Sequence, residues 1–166
     1  MPTYQLGAYY PHDYVKKLDT LIRFLPRPAD YLFLYFIGFY ILLCCMKVDY
    51  RLAIVGALAF GFSTYLIIIF GAGHNAKAHA MGYLPMLLGG IILVFRKKYL
   101  WGFVLTAVAM ALEIRANHYQ MTYYFMLLVL ILGVVYLIDA IRKKYLKDFF
   151  ISFELLLVGV TIGNAA

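Results

Sequence analysis

The chain has 166 residues, a formal net charge of +7, 65% hydrophobic residues and only 14% charged ones. A soluble domain of this size has too little polar surface to cover so much apolar material, and lipid is the solvent that suits it. The positive charge does not point to nucleic acid, because Lys and Arg sit in short clusters between apolar runs and form no basic face with a nucleic-acid motif.

Residues 1–10 lack a basic start followed by an apolar core, so they are not a signal peptide. Residues 13–25, DYVKKLDTLIRFL, place Tyr14, Val15, Leu18, Ile22 and Leu25 at helical spacing, with Lys16, Lys17, Asp19, Thr20 and Arg23 elsewhere. This pattern predicts an amphipathic helix with Asp13 as its N-cap, lying on a membrane surface or against a neighbouring domain. Pro26 and Pro28 end it. Residues 1–28 therefore form one segment, and residues 29–166 a transmembrane bundle.

Six apolar runs follow, at residues 29–46, 52–70, 81–95, 99–114, 121–138 and 149–163. A bilayer core needs about 20 helical residues. The first, second and fifth runs approach that length, and the others need their interfacial ends to span. Backbone polar groups must be satisfied within lipid, so the fold class expected is all-α, a polytopic bundle of about six transmembrane helices. Cys44 and Cys45 are adjacent inside the first run, badly placed to bridge each other, and read as small apolar fillers. Ala53, Ala57 and Gly61, and likewise Ala107 and Ala111, recur every four residues and predict close helix packing.

The basic residues set an orientation. Lys47 and Arg51, then Arg96, Lys97 and Lys98, then Arg142, Lys143, Lys144 and Lys147 fall in alternate connections. The positive-inside rule puts these nine in the cytoplasm, and the connections around 71–80 and 113–120 outside. The 13–28 segment then carries Lys16, Lys17, Arg23 and Arg27 outside as well. A basic tail without a signal does not readily cross a membrane, so an earlier helix is expected ahead of Met1, and the chain reads as a fragment of a longer protein.

The two outward segments hold the candidate chemistry. Residues 71–80, GAGHNAKAHA, contain His74, Asn75, Lys77 and His79 after two glycines. A lysine and imidazoles at a bilayer surface suit a phosphate or pyrophosphate, although a hydrated loop capping two helices accounts for the same residues. His74 and His79 are five apart and share no helix face, so no metal site is expected. Residues 113–120, EIRANHYQ, contain Glu113, Arg115, Asn117 and His118. Glu113 is either a proton acceptor or an ion-pair partner of Arg115, of Lys77 or of a histidine. Tyr119, Tyr123 and Tyr124 fit an aromatic belt or a sugar-stacking surface. Glu154, inside the last run, is expected to reach the cytoplasmic interface.

The segments 48–85 (VDYRLAIVGALAFGFSTYLIIIFGAGHNAKAHAMGYLP) and 111–124 (ALEIRANHYQMTYY), together with RFLPRPADYLFLYF at 23–36, resemble the YfhO family of bacterial membrane proteins, in particular its Bacteroidetes-type members. The resemblance covers nearly the whole chain. It implies a GT-C-like fold and activity: a polytopic glycosyltransferase of the bacterial inner membrane and cell envelope that takes sugar from a polyprenyl-phosphate donor. It also implies an acidic catalytic motif in the first extracytoplasmic loop, ahead of amphipathic juxtamembrane helices such as 13–25. Here the start of that loop is absent, so the catalytic acid is expected upstream of Met1, and the fragment itself is expected to be inactive.

The function expected is thus extracytoplasmic glycosylation by the parent protein. His74, Asn75, Lys77 and His79 would hold the donor phosphate, and Glu113, Arg115, Asn117 and His118 would shape the pocket. The partners expected are the lipid bilayer and a lipid-linked sugar phosphate, with no nucleic acid and no cofactor assigned. Two other classes fit the same residues: a transporter or flippase of a lipid-linked substrate, and a non-catalytic membrane assembly subunit.

Overall fold

The apolar runs fold as helices whose ends are set by prolines and short polar turns. In a computed structural model, which describes residues 14–165, the described residues form α1 (Tyr14–Ile22), α2 (Ala29–Cys45), α3 (Tyr50–Gly61), α4 (Thr64–Gly71), α5 (Asn75–Phe95), α6 (Tyr99–Arg115), α7 (Tyr119–Arg142) and α8 (Leu146–Ala165), with no strand among them. The predicted N-cap Asp13 and residues 1–10 lie outside the described residues.

Three differences from the sequence expectation stand out. The run at 52–70 is not one helix, because it breaks at Phe62 and Ser63 into α3 and α4. The segment 71–80 is not a loop, because α5 begins at Asn75 and takes Lys77 and His79 into its first turns. Two helices, α5 and α7, are long and apolar enough to cross a membrane, where six spans were expected. The reason is length and charge. Helices α2 and α6 have 17 residues each, short of the roughly 20 that span a bilayer core, and α3 and α4 have 12 and 8. Helix α8 keeps Asp148 and Glu154 among its apolar residues.

Helix α5 is the middle of the bundle, packed against α2, α6, α7 and α8. Its core residues Tyr83, Met86, Leu87 and Ile91 pack with Leu34 of α2, Ala109 and Met110 of α6 and Phe125 of α7. Small residues allow the close approaches. A Cβ on Gly38 would stand 2.5 Å from the Gly82 carbonyl oxygen, so α2 and α5 touch backbone to backbone there. The predicted stripe of Ala53, Ala57 and Gly61 is buried, with the ring of Phe36 over Gly61. Helix α7, by contrast, leaves Leu127, Leu130, Ile131, Val134, Val135 and Ile138 exposed.

The turns share one device. Lys47, Lys97 and Lys144 each adopt positive φ just past a helix end (64°, 63° and 60°). The next residue then donates its N–H back to the last helical turn: Val48 to Leu43, Lys98 to Leu93 and Tyr145 to Ala140, each at 3.0 Å. This is the Schellman closure, with Lys where glycine is usual. The three turns gather at one end of the bundle. There an Arg96 nitrogen, Nη1, donates to the Cys45 carbonyl oxygen, and Lys97 pairs with Asp148. The nine basic residues of the sequence pattern thus share an end.

Helix α1 lies across the opposite end. Val15, Asp19 and Ile22, at spacing i, i+4 and i+7, face the bundle, with Val15 and Ile22 on the apolar core. Tyr14, Leu18 and Leu21, at the same spacing on another face, are exposed. The amphipathic helix therefore has one docked face, centred on a carboxylate, and one exposed apolar face.

Candidate functional site

Three side chains converge on Asp19: Arg23, just past the end of α1, and His79 and Tyr83 from α5. The Asp19 carboxylate is 4% exposed. Its Oδ1 lies 2.7 Å from His79 Nε2 and accepts from the Tyr83 hydroxyl at 2.5 Å. His79 and Tyr83 are four apart, so α5 offers both from one face. Arg23, one turn after Asp19 on the chain, donates from Nε to Oδ1 at 3.3 Å and from Nη2 to Oδ2 at 2.7 Å. Its Nη1 donates to Asp30 Oδ2 at 2.9 Å, where Asp30 is buried in the first turn of α2. Tyr31 lies beside this network, with the Arg23 guanidinium 5.5 Å from its ring centroid.

Burial alone would push the Asp19 carboxyl up. The hydrogen bonds from His79, Arg23 and Tyr83 outweigh it, and hold the group well below the ordinary carboxylate range. Burial likewise works against the Arg23 charge, but the hydrogen bond and charge of Asp19 raise its pKa overall. The His79 ring keeps its Nδ1 without a hydrogen-bond partner among the described residues, since only Nε2 is engaged.

The other residues of the first segment stand around this network. His74 is the exposed residue before α5, with no side-chain capping bond, and Asn75 is exposed beside it. Lys77 is half-buried, its Nζ 5.3 Å from the centre of the Tyr65 ring. The Ala78 carbonyl oxygen accepts from the buried Tyr35 hydroxyl at 2.9 Å, which ties the start of α5 to α2.

The second segment is a short turn between α6 and α7 rather than a loop. Because α5 and α6 pack as antiparallel neighbours joined by a three-residue turn, the end of α6 lies beside the start of α5. Glu113 is fully buried. It pairs with neither Arg115, Lys77 nor a histidine. Instead the Thr122 hydroxyl donates to it, at 2.8 Å from Oε1 and 3.1 Å from Oε2. Arg115 is exposed at the end of α6. Asn117 is exposed at positive φ, 55°. His118 is half-buried ahead of α7, and its Nδ1 is buried without a partner among the described residues. Tyr119, Tyr123 and Tyr124 are all exposed, with the Gln120 amide donating to the Tyr124 hydroxyl.

The two segments therefore share an end, but no hydrogen bond or ion pair joins them among the described residues. Helix α1 stands between, bound to α5 through Asp19 and in contact with α6. Glu154 is exposed on α8. Among the described residues no group of three or more His, Cys, Asp and Glu side chains converges as a metal site.

Asp19, Arg23, Tyr83 and Asp30 were not among the expected site residues. The signal for Asp19 was present: Val15, Asp19 and Ile22 follow helical spacing, so a carboxylate falls in the line of an apolar face, with Arg23 four residues on. Compared with protein-family models, with curated proteins and with solved structures, the chain matches none.

Proposed function

We propose that the chain belongs to a membrane glycosyltransferase of the GT-C type, with a YfhO-like sequence, that takes a polyprenyl-phosphate-linked sugar at the α1 end of the bundle. In this reading α2, the α3–α4 pair, α6 and α8 cross the membrane with α5 and α7, and the α1 end is extracytoplasmic. The observation that carries it is the meeting of the GHNAKAHA segment with α1 at one bundle end, where the carboxylate of Asp19 holds the imidazole of His79.

The chemistry follows from that contact. A donor phosphate lies against His74, Asn75 and Lys77 and the first N–H groups of α5, which lack a side-chain cap. Asp19 orients the His79 ring through Nε2, and Nδ1 takes the proton of the acceptor hydroxyl as it attacks the anomeric carbon. The bond from that carbon to the donor phosphate breaks, and the phosphate leaves on the lipid. The buried Glu113 at the end of α6 and the half-buried His118 ahead of α7 shape the far wall. The test is transfer of label from a polyprenyl-phosphate sugar in membranes that contain the intact parent protein. Loss of transfer in His79→Ala and Lys77→Ala membranes, with the protein still folded and inserted, supports the reading. Unchanged transfer in both variants overturns it.

A second reading has its own observation. Asp19 is also held by Arg23, and Arg23 by Asp30, which makes the network a clasp that fixes α1. As an assembly subunit, the protein would need that clasp but not a reactive imidazole. His79→Gln would then leave the cellular phenotype intact while Asp19→Ala removes it.

A further inference from the structure

The opposite end of the bundle carries a cleft of its own. The turn between α5 and α6 meets the end of α7 and the start of α8 around a volume of ≈ 380 Å³. Its wall is aromatic: Phe95 stacks on Tyr136 at 4.2 Å between ring centroids, and on Phe149 at 5.8 Å. Its rim holds Arg96, Lys97 and the Tyr145 hydroxyl. Asp148 also faces the cleft, but Lys97 Nζ sits 2.6 Å from its Oδ2, so that charge is matched.

Arg96 is the residue with donors to spare. Its Nη1 donates to the Cys45 carbonyl oxygen at 2.9 Å, which fixes the guanidinium in place. Its Nε and Nη2 donate to no acceptor among the described residues. The field around it is positive. The three turns at this end and their flanking helix ends hold nine basic residues against Asp49, Asp139 and Asp148. A planar guanidinium anchored on one side and open on the other matches a phosphate.

We propose that this cleft binds the headgroup of an anionic phospholipid. The phosphate oxygens accept from Arg96, the surrounding lysines supply the field, and the glycerol and first methylenes rest on the Phe95–Tyr136 pair. The aromatic wall decides between a lipid and a free phosphate, because an inorganic ion gains nothing from stacked rings. The uncovered flank of α7, which supplies Tyr136, gives acyl chains a surface to follow. Basic pockets between helices on the positive face of a membrane protein are the usual place for such headgroups. The inference rests on the membrane reading above and not on glycosyl transfer.

The experiment uses the full chain purified in a neutral detergent, with three probes: short-chain phosphatidylglycerol, short-chain phosphatidylcholine and sodium phosphate. Binding is read by native mass spectrometry and by the thermal midpoint. The expected result is a bound phosphatidylglycerol that raises the midpoint, with neither effect from the other two probes. Arg96→Gln should weaken its binding about fivefold to tenfold, the worth of one well-placed cation near an anionic lipid. Arg96→Lys keeps the charge and loses the fork, so it should fall between, which keeps the proposal testable if the glutamine variant fails to fold. Lys47→Gln, which removes one charge of the field at the same end but outside the cleft, should weaken binding clearly less than Arg96→Gln. An equal loss in Lys47→Gln would mean diffuse attraction and overturn the site. An equal effect of sodium phosphate would overturn the lipid as occupant. A protein that stays dispersed without detergent would instead overturn the membrane reading.

Discussion

Asp19 Oδ1 and His79 Nε2 lie 2.7 Å apart across 60 residues of chain, and this contact fastens the surface helix α1 to the central helix α5. Asp19→Ala leaves Arg23, His79 and Tyr83 without their shared acceptor in a buried place. Removing one partner of such a network costs roughly 3–5 kcal/mol. We expect α1 to detach before the bundle melts, so proteolysis and amide exchange in α1 should rise while the thermal midpoint of the remaining helices moves less. Uniform exchange in wild type and variant would remove the clasp from the account.

The same contact sets a pH dependence. Asp19 lies in α1, outside the spanning helices, and its folded pKa is depressed below the ordinary value of 3.8. The docked state therefore binds fewer protons than the free helix in acid. Its stabilisation is fully present above that ordinary value and is lost as pH falls below it toward the depressed folded value. Protection of the α1 amides relative to their intrinsic exchange rates, followed from pH 6 downward, should fall below about pH 4 in the wild type. Asp19→Asn should lose that acid dependence and start from a looser α1.

Glu113 offers a contrast, a buried carboxylate whose partner is a hydroxyl and not a cation. Glu113→Gln keeps an acceptor for Thr122 and removes a charge that is costly at the edge of a membrane. It should fold as well as the wild type or better, by up to about 1 kcal/mol. If the carboxylate shapes the donor site, the same variant lowers transfer from the labelled lipid without lowering stability. Parallel losses of both would assign Glu113 to packing alone.

Topology is open to a direct check. Cysteines at Asn75 and Asn117, both exposed at the α1 end, should react with an impermeant reagent added outside intact cells. A cysteine at Lys97, at the basic end, should react only after the cells are opened. The reverse pattern would place the Asp19–His79 contact in the cytoplasm and end the proposal of an extracytoplasmic donor site.

The close approach of α2 and α5 predicts one sharp loss. A methyl group at Gly38 would meet the backbone oxygen of Gly82 at 2.5 Å, and backbone cannot step aside as a flexible side chain can. Gly38→Ala should destabilise the bundle by about 1–3 kcal/mol. Gly133→Ala, with open space around its position on α7, should do no such harm, and a small gain in helix propensity is expected.

Helix content was legible in the sequence because unbroken apolar runs between basic turns leave the backbone little else to form. The segregation of charge was legible for the same reason, and the basic turns do share an end. The break at Phe62 and Ser63 was not, since only Gly61 and the Ser63–Thr64 pair mark it and no proline or charge interrupts the surrounding apolar run. The helical start of 71–80 was hidden by its two glycines and its polar side chains, which read as a loop. Segments 71–80 and 113–120 do lie at one end of the bundle, but the contact centred on Asp19 was not legible. Asp19 was assigned to the polar face of its helix, because which face of α1 docks depends on His79 and Tyr83, some sixty residues later.

Arg23 bonds back to Asp19 and forward to Asp30, so the chain from α1 to the start of α2 is closed into a ring across the proline bend. A pull applied to α1 is thus not taken up by straightening the bend. It is carried across the ring and through His79 and Tyr83 into α5, the helix with the most neighbours. Force exerted at the surface would arrive first in the middle of the bundle, and the bend would feel it last.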